Sequence, residues 1–258
     1  MNLDYKNCNI HFTVEGKGEP IILLHGFLET TDMWKEITPE LSKTHQIVSI
    51  DLLGHGKTEC LGYVHTMEAM AEAVLAVLNH LKITKAHFIG HSMGAYVALA
   101  LAEKEPQLFN GLCLMNSTFE ADNQERKAIR ARACKMAHTN YKALVKMSFS
   151  NLFSLESKLK HDAEFNTALQ LALKTPVQGY IAAQEGMALR PNRFEILKRI
   201  EGKTLIIIGE KDGLVNAEEL IHKIRNTSIS YTTLSEGHMS YIENKSELTY
   251  NLLRFIEN

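Results

Sequence analysis

The segment Gly90-His91-Ser92-Met93-Gly94 constrains this chain more than any other. A short apolar run, Ala86-His87-Phe88-Ile89, precedes it and reads as a buried strand; Ala95 to Ala102, rich in strong helix formers, follows. Strand, G-x-S-x-G, helix is the context of a nucleophile elbow, a turn so tight that its serine hydroxyl stands clear of neighbouring atoms. A side chain at Gly90 or Gly94 would crowd such a turn. The helix that follows aims its free N–H groups, and the positive end of its dipole, at charge developing beside Ser92.

Around the elbow, strands and helices alternate. Asn9 to Val14, Ile21 to Leu24, Gln46 to Ile50 and Gly111 to Met115 read as strands. Thr31 is positioned to cap a helix from Asp32 to Leu41, and Thr66 opens a longer one with Met67, Met70, Val74, Val77, Leu78 and Leu81 on one face. From Ser117 to Ile200 no strand is legible, only helical stretches rich in Lys, Arg, Met and Ala. Alternation resumes with a strand over Thr204 to Ile208, a helix over Ala217 to Arg225, a strand over Ile229 to Leu234 and a helix over Tyr241 to Ile256. Repeated βα units imply a mostly parallel sheet covered on both faces, here interrupted by a helical block expected to sit above it. The expected organisation is a core of residues 1–116 and 201–258 with a helical cap over 117–200.

A serine hydroxyl needs a base, and the base an orienting acid. Open α/β sheets place reactive groups at the carboxyl ends of strands, which screens the 12 histidines. His238, in Ser235-Glu236-Gly237-His238, follows the last strand and is the expected base. His25, His55 and His91 also lie at or near strand ends, but His91 adjoins Ser92 on the same turn and His25 opens a glycine turn. Asp212, directly after the strand over Leu205 to Ile208, is the expected acid, which gives the chain order Ser92, Asp212, His238. Rivals are Asp51, whose Asp51-Leu52-Leu53-Gly54 setting suits a turn-stabilising carboxylate, and Glu120 and Asp122, read as the start of a helix. The backbone N–H groups of Met93 and Phe27 are the expected oxyanion donors.

Other signals are weaker. Gly56-Lys57-Thr58 resembles the end of a phosphate-binding loop, but Asp51 stands where that loop requires glycine. Neither a metal nor a cofactor is called for. Met93, Met115, Met136, Met147, Met187 and Met239 read mostly as core, with an adaptable apolar pocket as the alternative. Arg126, Lys127, Arg130, Arg132 and Lys135 read as a solvated basic face, or as attraction for an acidic substrate or carrier protein. A net charge of -2 gives no field for nucleic acid or anionic membrane. With no apolar leader, no spanning segment and four scattered cysteines, a cytoplasmic protein is expected.

His25-Gly26-Phe27, Asp51-Leu52-Leu53-Gly54-His55-Gly56, Gly90-His91-Ser92-Met93-Gly94, Asp212 and Gly237-His238 together resemble the α/β-hydrolase superfamily over essentially the whole chain. Trp34 falls where many members carry an aromatic residue. The resemblance implies an eight-stranded, mostly parallel sheet with a helical cap inserted after strand six, and no cofactor. Within the superfamily the chain looks most like small intracellular carboxylesterases, including those acting on acyl-carrier methyl esters, and also like a lyase of the menaquinone pathway. A serine esterase is thus the expected function. C–C bond cleavage with the same triad is the alternative, and a low-turnover receptor or regulatory protein the third reading.

Overall fold

The computed structural model describes residues 1–257. Its strands are β1 (Asn2–Tyr5), β2 (Cys8–Glu15), β3 (Glu19–Leu24), β4 (His45–Ile50), β5 (Ala86–His91), β6 (Phe109–Met115), β7 (Lys203–Gly209) and β8 (Ser230–Leu234). They form one eight-stranded sheet in the order β1-β2-β4-β3-β5-β6-β7-β8. The pairs β1–β2 and β2–β4 are antiparallel and all the others parallel. The loops that follow β3, β5, β6, β7 and β8 therefore open on the same edge of the sheet.

The helices before the sheet's midpoint are α1 (Thr38–Leu41), α2 (Met67–His80) and α3 (Met93–Lys104). Six more separate β6 from β7: α4 (Gln124–Ala137), α5 (Tyr141–Ser150), α6 (Leu155–Lys160), α7 (Asp162–Ala172), α8 (Val177–Leu189) and α9 (Phe194–Arg199). The last three are α10 (Ala217–Ile224), α11 (Ser240–Glu243) and α12 (Lys245–Glu257).

The apolar runs of β3 and β5 are continuous because both faces of the sheet are covered. Successive side chains alternate between the two faces. Ile22, Leu24 and Phe88 enter one core with Val74, Val77 and Leu78 of α2 and Val97 and Leu101 of α3. Ile21, Leu23 and Ile89 enter a second core with Trp34, Ile37, Leu248 and Leu252. A third cluster joins Leu28 and Met239 to Leu144, Val145, Phe149, Phe153, Ala172 and Tyr180 of the helical insert. No helix among the described residues is long and apolar enough to cross a membrane.

Four local expectations need correction. Strand β1 was not expected; it pairs with β2 through Lys6 and Asn7, whose φ values of 54° and 59° give the two left-handed positions of a tight hairpin without any glycine. The helix expected over Asp32–Leu41 is two pieces, a 3₁₀ turn at Thr31–Trp34 and α1. Pro39 has no N–H to give to the carbonyl of Lys35, so one continuous helix loses a rung there. The cap of that turn is Thr30, whose side chain accepts from the Asp32 N–H, rather than Thr31. Finally, the helix expected over Tyr241–Ile256 breaks at Asn244, whose φ of -130° is not helical.

Candidate active site

Ser92 sits between β5 and α3 with φ of 48° and ψ of -111°, a conformation that side chains other than glycine adopt only under constraint. The constraint is visible. The Ser92 N–H donates to the Met115 carbonyl at 2.9 Å, and the Ser117 hydroxyl donates to the Ser92 carbonyl at 2.8 Å. A Cβ at Gly90 would lie 2.5 Å from Ala95 backbone, and one at Gly94 would overlap the Leu24 carbonyl oxygen at the end of β3. Gly94→Ala is expected to destabilise the protein by about 3 kcal/mol, because α3 would have to move off β3. Urea unfolding checks this, and a loss under about 0.5 kcal/mol would mean that the helix shifts freely.

His238 and Asp212 come from the loops after β8 and β7. His238 Nδ1 lies 2.7 Å from Asp212 Oδ2, and His238 Nε2 lies 3.0 Å from Ser92 Oγ. A carboxylate only accepts, so Nδ1 carries the ring proton and Nε2 presents its lone pair to the serine hydroxyl. Asp212 is held as a carboxylate. Burial pushes its pKa up, but its interaction with the His238 ring and the N–H groups of Leu214 and Val215 outweigh that, so the net direction is down. Those two N–H groups donate to Asp212 Oδ1 at 2.8 and 3.1 Å.

Met93 is the first residue of α3, and its N–H therefore has no partner within the helix. Phe27 lies on the turn after β3, where the Glu29 N–H donates to the Gly26 carbonyl at 3.3 Å. Leu28 has φ of 65°, the left-handed value that the third position of a type II turn requires. The Phe27 ring packs against His55 and against Tyr180 of α8, with centroids 5.7 and 5.0 Å away.

The other strand-end candidates have different work. His25 is buried; its Nδ1 donates to the Gly26 carbonyl at 2.7 Å and its Nε2 accepts from the Leu52 N–H at 2.9 Å, so it is neutral and ties two loops together. Burial lowers the His55 pKa to about 3. Asp51 accepts from the N–H groups of Thr31 and Lys57 at 2.7 and 2.9 Å, a turn-stabilising carboxylate. Glu120 and Asp122 do not begin α4. Its cap is Asn123, whose side chain accepts from the Arg126 N–H. Glu120 pairs with Lys223 at 2.7 Å on the surface, whereas Asp122 is buried between Arg130 and Arg190. Of the methionines, Met93, Met115, Met187 and Met239 are core while Met136 and Met147 are exposed.

Sequence reasoning missed three residues here. Asn116, the first residue after β6, donates to the Gly237 carbonyl at 3.0 Å and toward Asp212 Oδ2 at 3.4 Å, and accepts from the Ser240 hydroxyl. The strand-end rule that found Asp212 points to Asn116 equally well. Glu243 accepts from the Met239 N–H at 3.0 Å and from the Ser157 hydroxyl of α6. Glu29, 4% exposed, meets His91. Nothing local in the sequence marks either glutamate.

A model of the alpha/beta hydrolase fold matches residues 19–245. The chain belongs to that family. Among solved structures, this hydrolase is similar to a thermophilic esterase from Thermogutta terrifontis, with a TM-score of 0.92, 27% identity and coverage of 99% of this chain and 97% of the other. It is 28% identical over 243 residues to 3-oxoadipate enol-lactonase 1 of Acinetobacter baylyi, covering 93% of this chain and 89% of the lactonase. It is also 25% identical over 240 residues to the dihydrolipoyllysine-residue acetyltransferase component of the acetoin cleaving system of Pseudomonas putida. That match covers 93% of this alpha/beta hydrolase but only 64% of the longer protein.

Proposed function

We propose that this protein is a serine hydrolase of carboxylic esters, with Ser92 as nucleophile, His238 as base, Asp212 as its orienting acid, and the N–H groups of Phe27 and Met93 as oxyanion donors. The observation that carries the reading is the unbroken chain from Asp212 Oδ2 through His238 to Ser92 Oγ, at 2.7 and 3.0 Å. Ser92 Oγ adds to the ester carbonyl carbon while its proton passes to His238 Nε2. The imidazolium so formed is stabilised by Asp212, and the carbonyl oxygen takes up negative charge facing the N-terminus of α3. Collapse expels the alkoxide, which leaves as the alcohol with the proton from His238. Water, deprotonated by the same nitrogen, then releases the acid and restores Ser92. The esterase and enol-lactonase likenesses support the ester bond as the target.

The helices over 117–200 are the cap of this reading. Leu28 and Met239, each next to a proposed site residue, pack into one apolar cluster with α5, α7 and α8. Attraction of an acidic substrate or an acyl-carrier protein by α4 is left with Lys127, Arg132 and Lys135. Arg126 instead donates to the Leu214 carbonyl, and Arg130 binds Asp122 and Gln184. A reducing, cytoplasmic setting fits four cysteines that are all free.

The test is hydrolysis of p-nitrophenyl esters from acetyl to decanoyl, with intact-mass analysis after a fluorophosphonate. Turnover with one phosphonyl group on Ser92 is expected, and the chain-length optimum sizes the acyl pocket. Absence of both sinks the reading. Phosphonylation without ester turnover points instead to the C–C cleavage alternative.

A further inference from the structure

Glu29 and His91 form an ion pair at the centre of the site that the proposed reaction does not use. Glu29 Oε2 lies 2.8 Å from His91 Nδ1, with the two side chains only 2% and 1% exposed. The same oxygen accepts from the Gly26 N–H at 2.6 Å. The far side of the ring, Nε2, lies 3.0 Å from the carbonyl oxygen of His238. A carbonyl and a carboxylate both only accept, so the two ring nitrogens both carry protons and His91 is an imidazolium. Glu29 Oε1 is buried with no hydrogen-bond partner, which leaves His91 as the positive group neutralising that carboxylate.

These bonds join the turn after β3 to the elbow, and the elbow to the His238 loop, in addition to the His238–Ser92 bond. Gly26 precedes Phe27 on the oxyanion turn, His91 precedes Ser92 on the elbow, and His238 is the base itself. Gly26 also admits the carboxylate sterically: a Cβ there would lie 2.6 Å from Glu29 Oε2 and 2.8 Å from His91 Nδ1.

Resting on the esterase reading above, we propose that Glu29 and the imidazolium of His91 are a positioning unit that sets the Phe27 N–H, Ser92 and His238 at working distance from one another. The unit touches no substrate. Its contribution is geometric: the oxyanion donor on one loop must meet an oxygen bound to a carbon attacked from another, and a misplacement near 1 Å costs on the order of 100-fold in rate. Neutralising Glu29 removes the charge that ties the Gly26–Leu28 turn to the His91 imidazolium on the elbow.

The experiment has two arms. In ¹⁵N-histidine-labelled protein at neutral pH, the ring signal that disappears in His91→Asn is expected to show both nitrogens protonated; a singly protonated His91 would overturn the proposal. In the second arm, Glu29→Gln is compared with wild type for ester turnover and for the rate of phosphonylation at Ser92. A fall of roughly 10- to 100-fold in kcat and in phosphonylation, with KM changed by less than about 2-fold, is expected. Equal phosphonylation rates in the two proteins would overturn the positioning role alone. Failure of wild-type Ser92 to react at all would overturn the esterase reading and this one with it, and wild-type phosphonylation without ester turnover would fail only the former.

Discussion

Replacing Ser92 with alanine is expected to lower kcat for ester hydrolysis by about ten-thousandfold or more while the protein remains folded. The hydroxyl oxygen sits 3.0 Å from His238 Nε2, the nitrogen that presents its lone pair. Without it the base has no proton to take and the acyl group has no acceptor. The proposed oxyanion donors remain, so residual catalysis by water is expected to survive at a low level. The fold should be indifferent. The bonds that hold the elbow are made by the backbone of Ser92, to Met115 and from Ser117, and alanine keeps both. Unfolding free energies should agree to within about 0.5 kcal/mol. Steady-state kinetics with the best p-nitrophenyl ester check the first part, and urea unfolding the second. Activity within tenfold of wild type would mean that His238 activates water directly, or that the nucleophile is elsewhere.

The elbow was legible because its chemistry is local: the strand, the two glycines and the helix that bend the chain at Ser92 lie within about one unbroken stretch of sequence. Most strands were legible for the related reason that sheets buried on both faces demand continuous apolar runs, as in Ile21 to Leu24. What escaped is what depends on partners far along the chain. His91 could be set aside only as the neighbour of Ser92 on the same turn, because its partner Glu29 lies 62 positions earlier. Asp122 looked like a helix-opening acid, since Arg190, which fixes its role, stands at the end of another helix. Arg130 and Arg126 looked like part of a solvated face, yet they reach buried or backbone oxygens that periodicity does not reveal. Strand β1 was missed for the opposite reason: it is short, half-exposed and turned by two non-glycine residues in left-handed conformations.

The same Asp122 cluster yields the largest stability effect expected from a single polar change. Its carboxylate, fully buried, lies 2.5 Å from Arg130 Nε and 2.8 Å from Arg190 Nη1. Arg190 is 3% exposed in its side chain and lies over the Tyr96 ring, 4.0 Å from its centroid. The cluster thus ties α4 and the end of α8 to α3, the helix that carries the elbow. Asp122→Asn keeps the volume and removes the charge, leaving the buried Arg190 guanidinium without an anionic partner while it still donates to the Glu120 and Met187 carbonyls. A loss of about 3 kcal/mol at pH 7 is expected, the lower end for a broken buried pair, because those carbonyls and the ring remain. The effect should depend on pH in one direction. Burial pushes the Asp122 pKa up, but the hydrogen bond and charge of Arg130, with Arg190, outweigh it and bring it below the usual carboxylate value. A lowered folded-state pKa contributes stability that is complete above the unfolded value, about 3.9, and is lost as pH falls through the folded one. Urea unfolding of wild type and Asp122→Asn at pH 7 and at successively lower pH should therefore show the gap narrowing once pH drops below about 4. A gap that stays constant into acid would mean that asparagine disturbs packing rather than charge, and the ion pair would lose its place as the link between the helical insert and the elbow.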